Sequence, residues 1–575
     1  MHFTCLSSAL LLSLTLQESS VPPASSPPQF EELESAFFRN TAAGGREPLV
    51  VTTLCGSPKK NYILEVNGGG LVIEDFDGDG KHDLVVIDGS TLERAVNGKP
   101  GEPPRLLMGA GDGSFDAAGD AWAMAGGRFG MGGTSGDVNG DGFSDLVITE
   151  WGTDRLILND AGKGFREAED SGLSGKRWGT SAAMLDYNLD GNLDLVVVNY
   201  LAFYPDEIKS REEDVCHWKG KAVMCGPEGL SPVYDQLYLG SGDGKFADVT
   251  RAANFRPRNA GFGLGVMTLD YDQDGDTDLY VTNDSTPNHL WVNGADGSFQ
   301  ERGGELGVAL DAGGKEQAGM GIACGDMDGD GYFDLFVTNF SGEPNELYGS
   351  AKRKSLAAFR NRTNKMGLGG SSVTYLGWGT SMADFDLDGD EDLLVLNGHV
   401  YPQADFAGSD TSYAQTDHFY RHNQKGRLVQ EPLSSSAAFV SRAGAVADLD
   451  DDGDLDLVQI EMDAAVRVFM NRGGSGHWLR LRLKDRGGNG AALGAVVTAV
   501  AGERRWVGEV RTSGGFQNGV PAEVHFGLGD IDALEYLSIR WPDGDVTRVE
   551  TPTLDRELLV ERPNTSGSDE TGGEE

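Results

Sequence analysis

The feature that most constrains this chain is a loop, Asp270-Tyr271-Asp272-Gln273-Asp274-Gly275-Asp276-Thr277-Asp278-Leu279, followed at once by the β-rich Tyr280-Val281. Asp stands at positions 1, 3, 5 and 9, and Gly at 6. Alternate carboxylates turned inward by a tight loop supply hard oxygen ligands for a hard cation, Ca2+ above all. Gly at position 6 allows the sharp turn because it has no Cβ to clash. The pattern occurs seven times, beginning at Asp75, Asp137, Asp186, Asp270, Asp326, Asp384 and Asp448.

The candidate metal ligands follow loop by loop: Asp75, Asp77, Asp79 and Asp83; Asp137, Asn139, Asp141 and Asp145; Asp186, Asn188, Asp190 and Asp194; Asp270, Asp272, Asp274 and Asp278; Asp326, Asp328, Asp330 and Asp334; Asp384, Asp386, Asp388 and Asp392; Asp448, Asp450, Asp452 and Asp456. Asn139 and Asn188 still offer a carbonyl oxygen. Up to seven Ca2+ sites are expected. A helix-loop-helix calcium site needs a bidentate Glu at position 12. Here position 12 is Val86, Ile148, Val197, Val281, Val337, Val395 or Gln459, each in a strand-like run, so that architecture is excluded.

Each loop follows a Gly-rich β segment, such as Gly261-Phe262-Gly263-Leu264-Gly265-Val266, and precedes an apolar strand, such as Leu195-Val196-Val197-Val198. A third short strand (Asn288-His289-Leu290-Trp291-Val292-Asn293) and a fourth led by Phe (Phe165, Phe246, Phe299, Phe359) complete several repeats. Four short strands per repeat of about fifty residues is the pattern of propeller blades. The last repeat leaves after Val466-Arg467-Val468-Phe469 without its Phe-led strand. Phe37-Phe38-Arg39-Asn40-Thr41 near the N-terminus resembles that missing strand, and is expected to complete the last blade and close the ring.

The expected fold class is all-β: a seven-bladed β-propeller over 29–473, then a small β domain over 474–561. Residues 1–20 read as a secretory signal, since the apolar run Ala9 to Leu16 has the length of a signal core and not of a membrane span. The Pro/Ser-rich 21–28 reads as a linker, and the acidic 562–575 as a disordered tail. In the second domain, Leu479, Leu481 and Leu483 share one strand face, with Arg480, Arg482 and Lys484 on the other, read as solvated or, alternatively, as meeting the acidic propeller. The net charge of −43 argues against nucleic-acid binding. No run is long enough to cross a membrane as a helix. An exported location (secreted, periplasmic or cell-surface) is expected, where millimolar calcium suits such sites.

The Asp-x-Asp/Asn-x-Asp-Gly-x-x-Asp-Leu loops resemble FG-GAP/VCBS repeats, the units of integrin-α-like seven-bladed propellers. The stretch from His477 to about Val549 is similar to an ASPIC/UnbV domain, through Ala492-Leu493-Gly494-Ala495-Val496-Val497, Gly514-Gly515-Phe516, His525-Phe526-Gly527-Leu528-Gly529 and Arg540-Trp541-Pro542-Asp543-Gly544. Together they resemble the cartilage acidic protein family and its bacterial relatives. The stretch Gly487-Gly488-Asn489-Gly490-Ala491-Ala492-Leu493-Gly494 lacks the Asn-Arg pair common there.

Two insertions stand out. Tyr200 to Asp235 carries Cys216 and Cys225, read as a disulfide if the chain is exported, because a metal site would need more ligands than these and His217 offer. Cys55 and Cys324 are left unpaired. The second insertion, Asn397 to Tyr420, contains the candidate recognition residues His399 and Tyr401, beside the bland reading of a loop packed by its own aromatics. No nucleophile elbow, His-Glu-x-x-His zinc motif or phosphate-binding loop is present. The expectation is a non-enzymatic binding or adhesion module for an extracellular protein or glycan. A carbohydrate-active enzyme using a propeller face is the alternative, and a purely structural envelope or matrix component a third.

Overall fold

The computed structural model describes residues 27–41, 45–213, 215–353, 356–423, 425–433 and 437–563. The expected signal at 1–20, most of the linker at 21–28 and the tail beyond 563 lie outside the described residues.

Each repeat folds as a four-stranded antiparallel unit. The fourth is representative, with strands Gly263–Leu269, Asp278–Asn283, His289–Gly294 and Ser298–Glu301 in sheet order. The Asp loop joins its first and second strands. Loop position 10 is a fully buried Leu in every repeat: Leu84, Leu146, Leu195, Leu279, Leu335, Leu393 and Leu457. Several fourth strands bury a leading Phe and expose the next two residues, as in Phe165–Glu167 and Phe246–Asp248. The first strand of each unit packs on that of the next, from Gly70–Glu74 round to Ser441–Ala447, which returns to Gly70–Glu74. The units therefore form a closed ring, and the protein is a β-propeller.

Closure differs in detail from the sequence expectation. The strand that completes the last unit is Phe30–Glu32, with Phe30 opposite Asn471 and Glu32 opposite Phe469. Phe37–Asn40 runs instead beside the first unit, where Phe37 pairs in parallel with Phe115. Both segments lead with Phe, and each Phe finds an aromatic seat. Phe30 lies 5.8 Å from Phe385, and Phe37 stacks 6.0 Å from Phe115. The Phe-led pattern fits either place, so it does not choose between them.

The C-terminal β domain sets His477–Lys484 between Glu523–Gly529 and Arg556–Glu561, facing a second sheet built from Arg504–Glu509, Val496–Ala501, Tyr536–Arg540 and Val546–Glu550. Its core contains Leu479, Leu481, Leu483 and Trp541. Of the two readings of the polar face, contact with the acidic propeller holds for Arg480 and, more loosely, for the half-exposed Arg482. Arg480 is buried, with Nη2 2.6 Å from Asp451 and 2.8 Å from Glu557, and Nη1 3.2 Å from Asp448. Arg482 reaches to 3.9 Å from Asp75. The acidity of the Asp loops gives this strand the partner that its own alternation leaves open. Lys484 stays exposed, paired with Glu561.

The segment 512–520 of this domain enters the axis of the ring and touches every unit. Gln517 O accepts from Leu71 N, Thr512 Oγ1 meets Thr134 Oγ1 at 3.1 Å, and Gln517 N donates to Ser181 Oγ. Gly515 bridges to Val266 and lies against Ile322 O. Phe516 packs 5.2 Å from Trp378, and Asn518 Nδ2 donates to Gly444 O. The Gly-rich first strands leave room for this plug. A Cβ on Gly132 would sit 2.6 Å from Gln517 Cα, and one on Gly265 2.2 Å from Gly515 O.

Candidate metal centres and a capped pocket

In each Asp loop, the residue at position 1 folds the loop over itself. Asp270 accepts from Asp274 N and Gly275 N, and Asp384 from Asp388 N and Gly389 N. The residue at position 9 ties the loop to the third strand: Asp145 accepts from Val138 N and Asn159 N, Asp278 from Tyr271 N and Asn293 N, and Asp456 from Leu449 N and Asn471 N. Those third-strand Asn side chains donate in turn to the preceding unit's loop, from Asn159 to Phe76 O, Asn293 to Tyr187 O and Asn471 to Phe385 O. These Asn residues were missed in the sequence. Their signal is a repeated Asn ending the third strand.

Carboxylate oxygens converge within 4.8 Å in five loops: Asp75, Asp77 and Asp83; Asp270, Asp272 and Asp278; Asp326, Asp328 and Asp330; Asp384, Asp386 and Asp392; Asp448, Asp450 and Asp456. Position 5 stands apart in four of them, where Asp79, Asp274, Asp388 and Asp452 cap the backbone N–H two residues on. Asp334 stands apart in the other. The remaining two loops, of Asp137, Asp141 and Asp145 and of Asp186, Asp190 and Asp194, contain the Asn residues. Asn139 and Asn188 direct their carbonyl oxygens to Asp141 N and Asp190 N.

The donor set fits a hard cation. Asp272 Oδ1, Asp334 Oδ2 and Asp450 Oδ1 are buried without a hydrogen-bond partner. Burial, with neighbouring carboxylates adding to it, raises Asp194 and Asp334 to about 8 and Asp456 to about 9. Such carboxylates ionise readily only when a cation balances them. Three loops also meet a cation from the C-terminal domain at position 1: Arg482 near Asp75, Arg540 on Asp270 and Arg480 on Asp448. Arg540 of the Arg540-Trp541-Pro542-Asp543-Gly544 motif thus belongs to the docking surface, while Trp541 and Asp543 bond within their own domain, to Thr547 and Arg562.

Strand direction alternates within each unit, so connections between second and third strands emerge on the face opposite the Asp loops. Both insertions are such connections, and they meet. Trp218 lies 4.7 Å from His399 and 5.7 Å from Tyr401, and Lys219 pairs with Asp410. Cys216 and Cys225 are disulfide-bonded, while Cys55 and Cys324 are free. Beneath the insertions lies a pocket of about 680 Å3, lined by aromatic rings, Asp284 and the disulfide loop. Burial, with Arg442 next, pushes the His399 imidazole down to about 3, so it is neutral. Trp378 lines the pocket, and its ring also packs on Phe516 of the plug.

Fold and loops together define a propeller of FG-GAP-like repeats joined to an ASPIC/UnbV domain. The family described as FG-GAP-like repeat matches 75–148, 137–197 and 270–337, and that described as ASPIC and UnbV matches 485–567. The chain is similar to cartilage acidic protein 1: the mouse protein is 24% identical over 507 residues, covering 83% of this chain and 70% of the relative. The human protein is 26% identical over 276 residues, 47% of this chain and 39% of the relative. Among solved structures, a Burkholderia pseudomallei lectin is 14% identical with a TM-score of 0.43, covering 71% of this chain and 98% of its own. A Bacillus licheniformis rhamnogalacturonan lyase is 14% identical with a TM-score of 0.35, covering 77% and 75%. At these scores the fold rests on the strand topology described above. No helix among the described residues is long and apolar enough to cross a membrane.

Proposed function

We propose that this is an exported, calcium-stabilised binding module that recognises an extracellular protein or glycan through the pocket beneath its two insertions. The observation that carries the reading is the meeting of Trp218, His399 and Tyr401, contributed by connections that start in different repeats, above one concave apolar pocket. Pockets with aromatic walls and a few fixed polar groups are the usual form of a recognition site. The Asp loops lie at the other end of the ring, and their carboxylates are engaged in holding strands together. Calcium there serves the scaffold.

The test is retention of glycans and of extracellular proteins on the immobilised protein, in calcium and in chelator, with assay for cleavage products. Retention without products, lost in Trp218→Ala, is the expected result. Retention unchanged by Trp218→Ala overturns the site, and product formation overturns the class in favour of a carbohydrate-active enzyme.

A further inference from the structure

The walls of the capped pocket are chemically one-sided. Tyr200, Trp218, Phe340, Trp378 and Tyr401 line it, and its charged groups are the acids Asp284, Glu343 and, exposed at the rim, Glu228. Among the described residues no Lys or Arg lines it. Asp284 is held in place by neutral donors, the Tyr200 hydroxyl and Ser285 Oγ, whereas Glu343 accepts from Ala318 N at 2.9 Å and already pairs with Lys315, whose Nζ lies 3.3 Å away. The buried guanidinium of Arg442, 4.2 Å over the Trp378 ring, is spent on the carbonyls of Val66, Gly398, Ser441 and His399.

A second feature of the wall points to a ligand. Asn67 is 3% exposed and lines the same pocket, and its Nδ2 donor has no hydrogen-bond partner. A buried donor left in this state costs free energy unless something entering the pocket accepts from it. The pocket also has a neighbouring precedent for cation binding: the Lys219 ammonium lies 4.7 Å over the Trp218 ring.

We propose that the pocket binds an organic cation, an alkylated ammonium group seated among the aromatic rings and balanced by Asp284, with an acceptor oxygen on the ligand taken by Asn67 Nδ2. Ring faces carry the negative end of the aromatic quadrupole and attract such a group, most strongly where water is excluded. An anionic ligand would meet the Asp284 carboxylate on the wall, where the nearby Arg442 guanidinium is turned to backbone carbonyls, and a purely apolar one would leave Asn67 Nδ2 without compensation. The proposal rests on the reading of this pocket as the recognition site, and commits it to a ligand chemistry.

Calorimetric titration of the full chain with choline, and with its uncharged isostere 3,3-dimethylbutan-1-ol, tests it. Choline is expected to bind at least about tenfold more tightly than the isostere. Asp284→Asn is expected to shrink that ratio while leaving the melting temperature within a few degrees, as a check on folding. Equal binding of the two probes overturns the cation but leaves the recognition site standing. Binding of neither probe also overturns it, and whether Trp218→Ala still abolishes partner retention then decides if the site falls too. A third arm compares a trimethyl-lysine peptide with its unmodified form. Preference for the peptide over choline assigns the cation to a protein side chain, and preference for choline assigns it to a small molecule.

Discussion

The Asp residues of the loops do two different things, and their chemistry separates them. Position 9 holds backbone N–H groups of the loop and of the third strand, so its loss is felt with or without metal. Asp145→Ala leaves Val138 N and Asn159 N without their acceptor, and is expected to cost about 1–3 kcal/mol in calcium and in chelator alike, read by denaturant titration. A loss seen only in calcium would make Asp145 a ligand and nothing more. The pH dependence carries the other role. Burial raises Asp83 to about 7 and Asp194 and Asp334 to about 8, whereas in the unfolded chain they titrate near 3.8. Between those values the folded chelated protein holds more protons than the unfolded one, so its stability falls as pH climbs from about 4 to about 8. With calcium the cation favours the ionised form and the slope reverses. Thermal melts across that range, with and without chelator, check both signs.

At the scale of elements, much of the ring was legible before the structure. Seven loops with Gly at 6 and Leu at 10 mark the first and second strands of every unit, because ligand spacing and burial both constrain those positions. What is not legible depends on partners far away in sequence. Gly130–Gly136 and Gly263–Leu269 read as Gly-rich β segments, but their close approach to Gln517 and Gly515 is not legible in them. For Arg480 the alternation leaves open both solvent and the acidic propeller, and only the placing of Asp448 and Asp451 beside it decides. Phe30 and Phe37 are alike as strand leaders, and only the ring's geometry separates them. That difference is measurable. Phe30→Ala removes a ring packed on Phe385 and Phe419 at the closing seam, while Phe37 sits on an added outer strand. The Phe30 variant is expected to lose about 3–5 kcal/mol and its unfolding cooperativity, and the Phe37 variant to lose less with cooperativity kept. Equal effects in denaturant titrations would count against Phe30–Glu32 as the closing strand.

For the molecule as a whole, the net charge is −43, and the Asp loops bring part of it to the face where the C-terminal domain docks. Arg480, Arg482 and Arg540 answer three Asp loops from that domain, Arg362 and Arg421 reach Asp328 and Asp386 from within the propeller, and a bound cation would balance the remaining carboxylates. Chelation is therefore expected to lower the melting temperature by many degrees, with calcium restoring it. The domain interface should loosen at the same time, seen as faster proteolysis between the propeller and residue 477. No shift with chelator in low calcium would remove the calcium-stabilised scaffold.

The closing seam also has a history in time. Phe30–Glu32 is among the first described segments made and pairs with Arg467–Asn471, which a ribosome delivers only after nearly the whole propeller. Throughout synthesis the first blades therefore present an unfinished ring whose edge strands have no partner, a state prone to misassociation. The axial plug comes later still, since 512–520 follows every blade it touches. Ring and plug must be assembled after the chain is nearly complete, so a polypeptide stalled before residue 471 has no closed ring. Folding yield should then depend on how such intermediates are kept apart while the last hundred residues arrive, a burden of biogenesis written into the order of the strands.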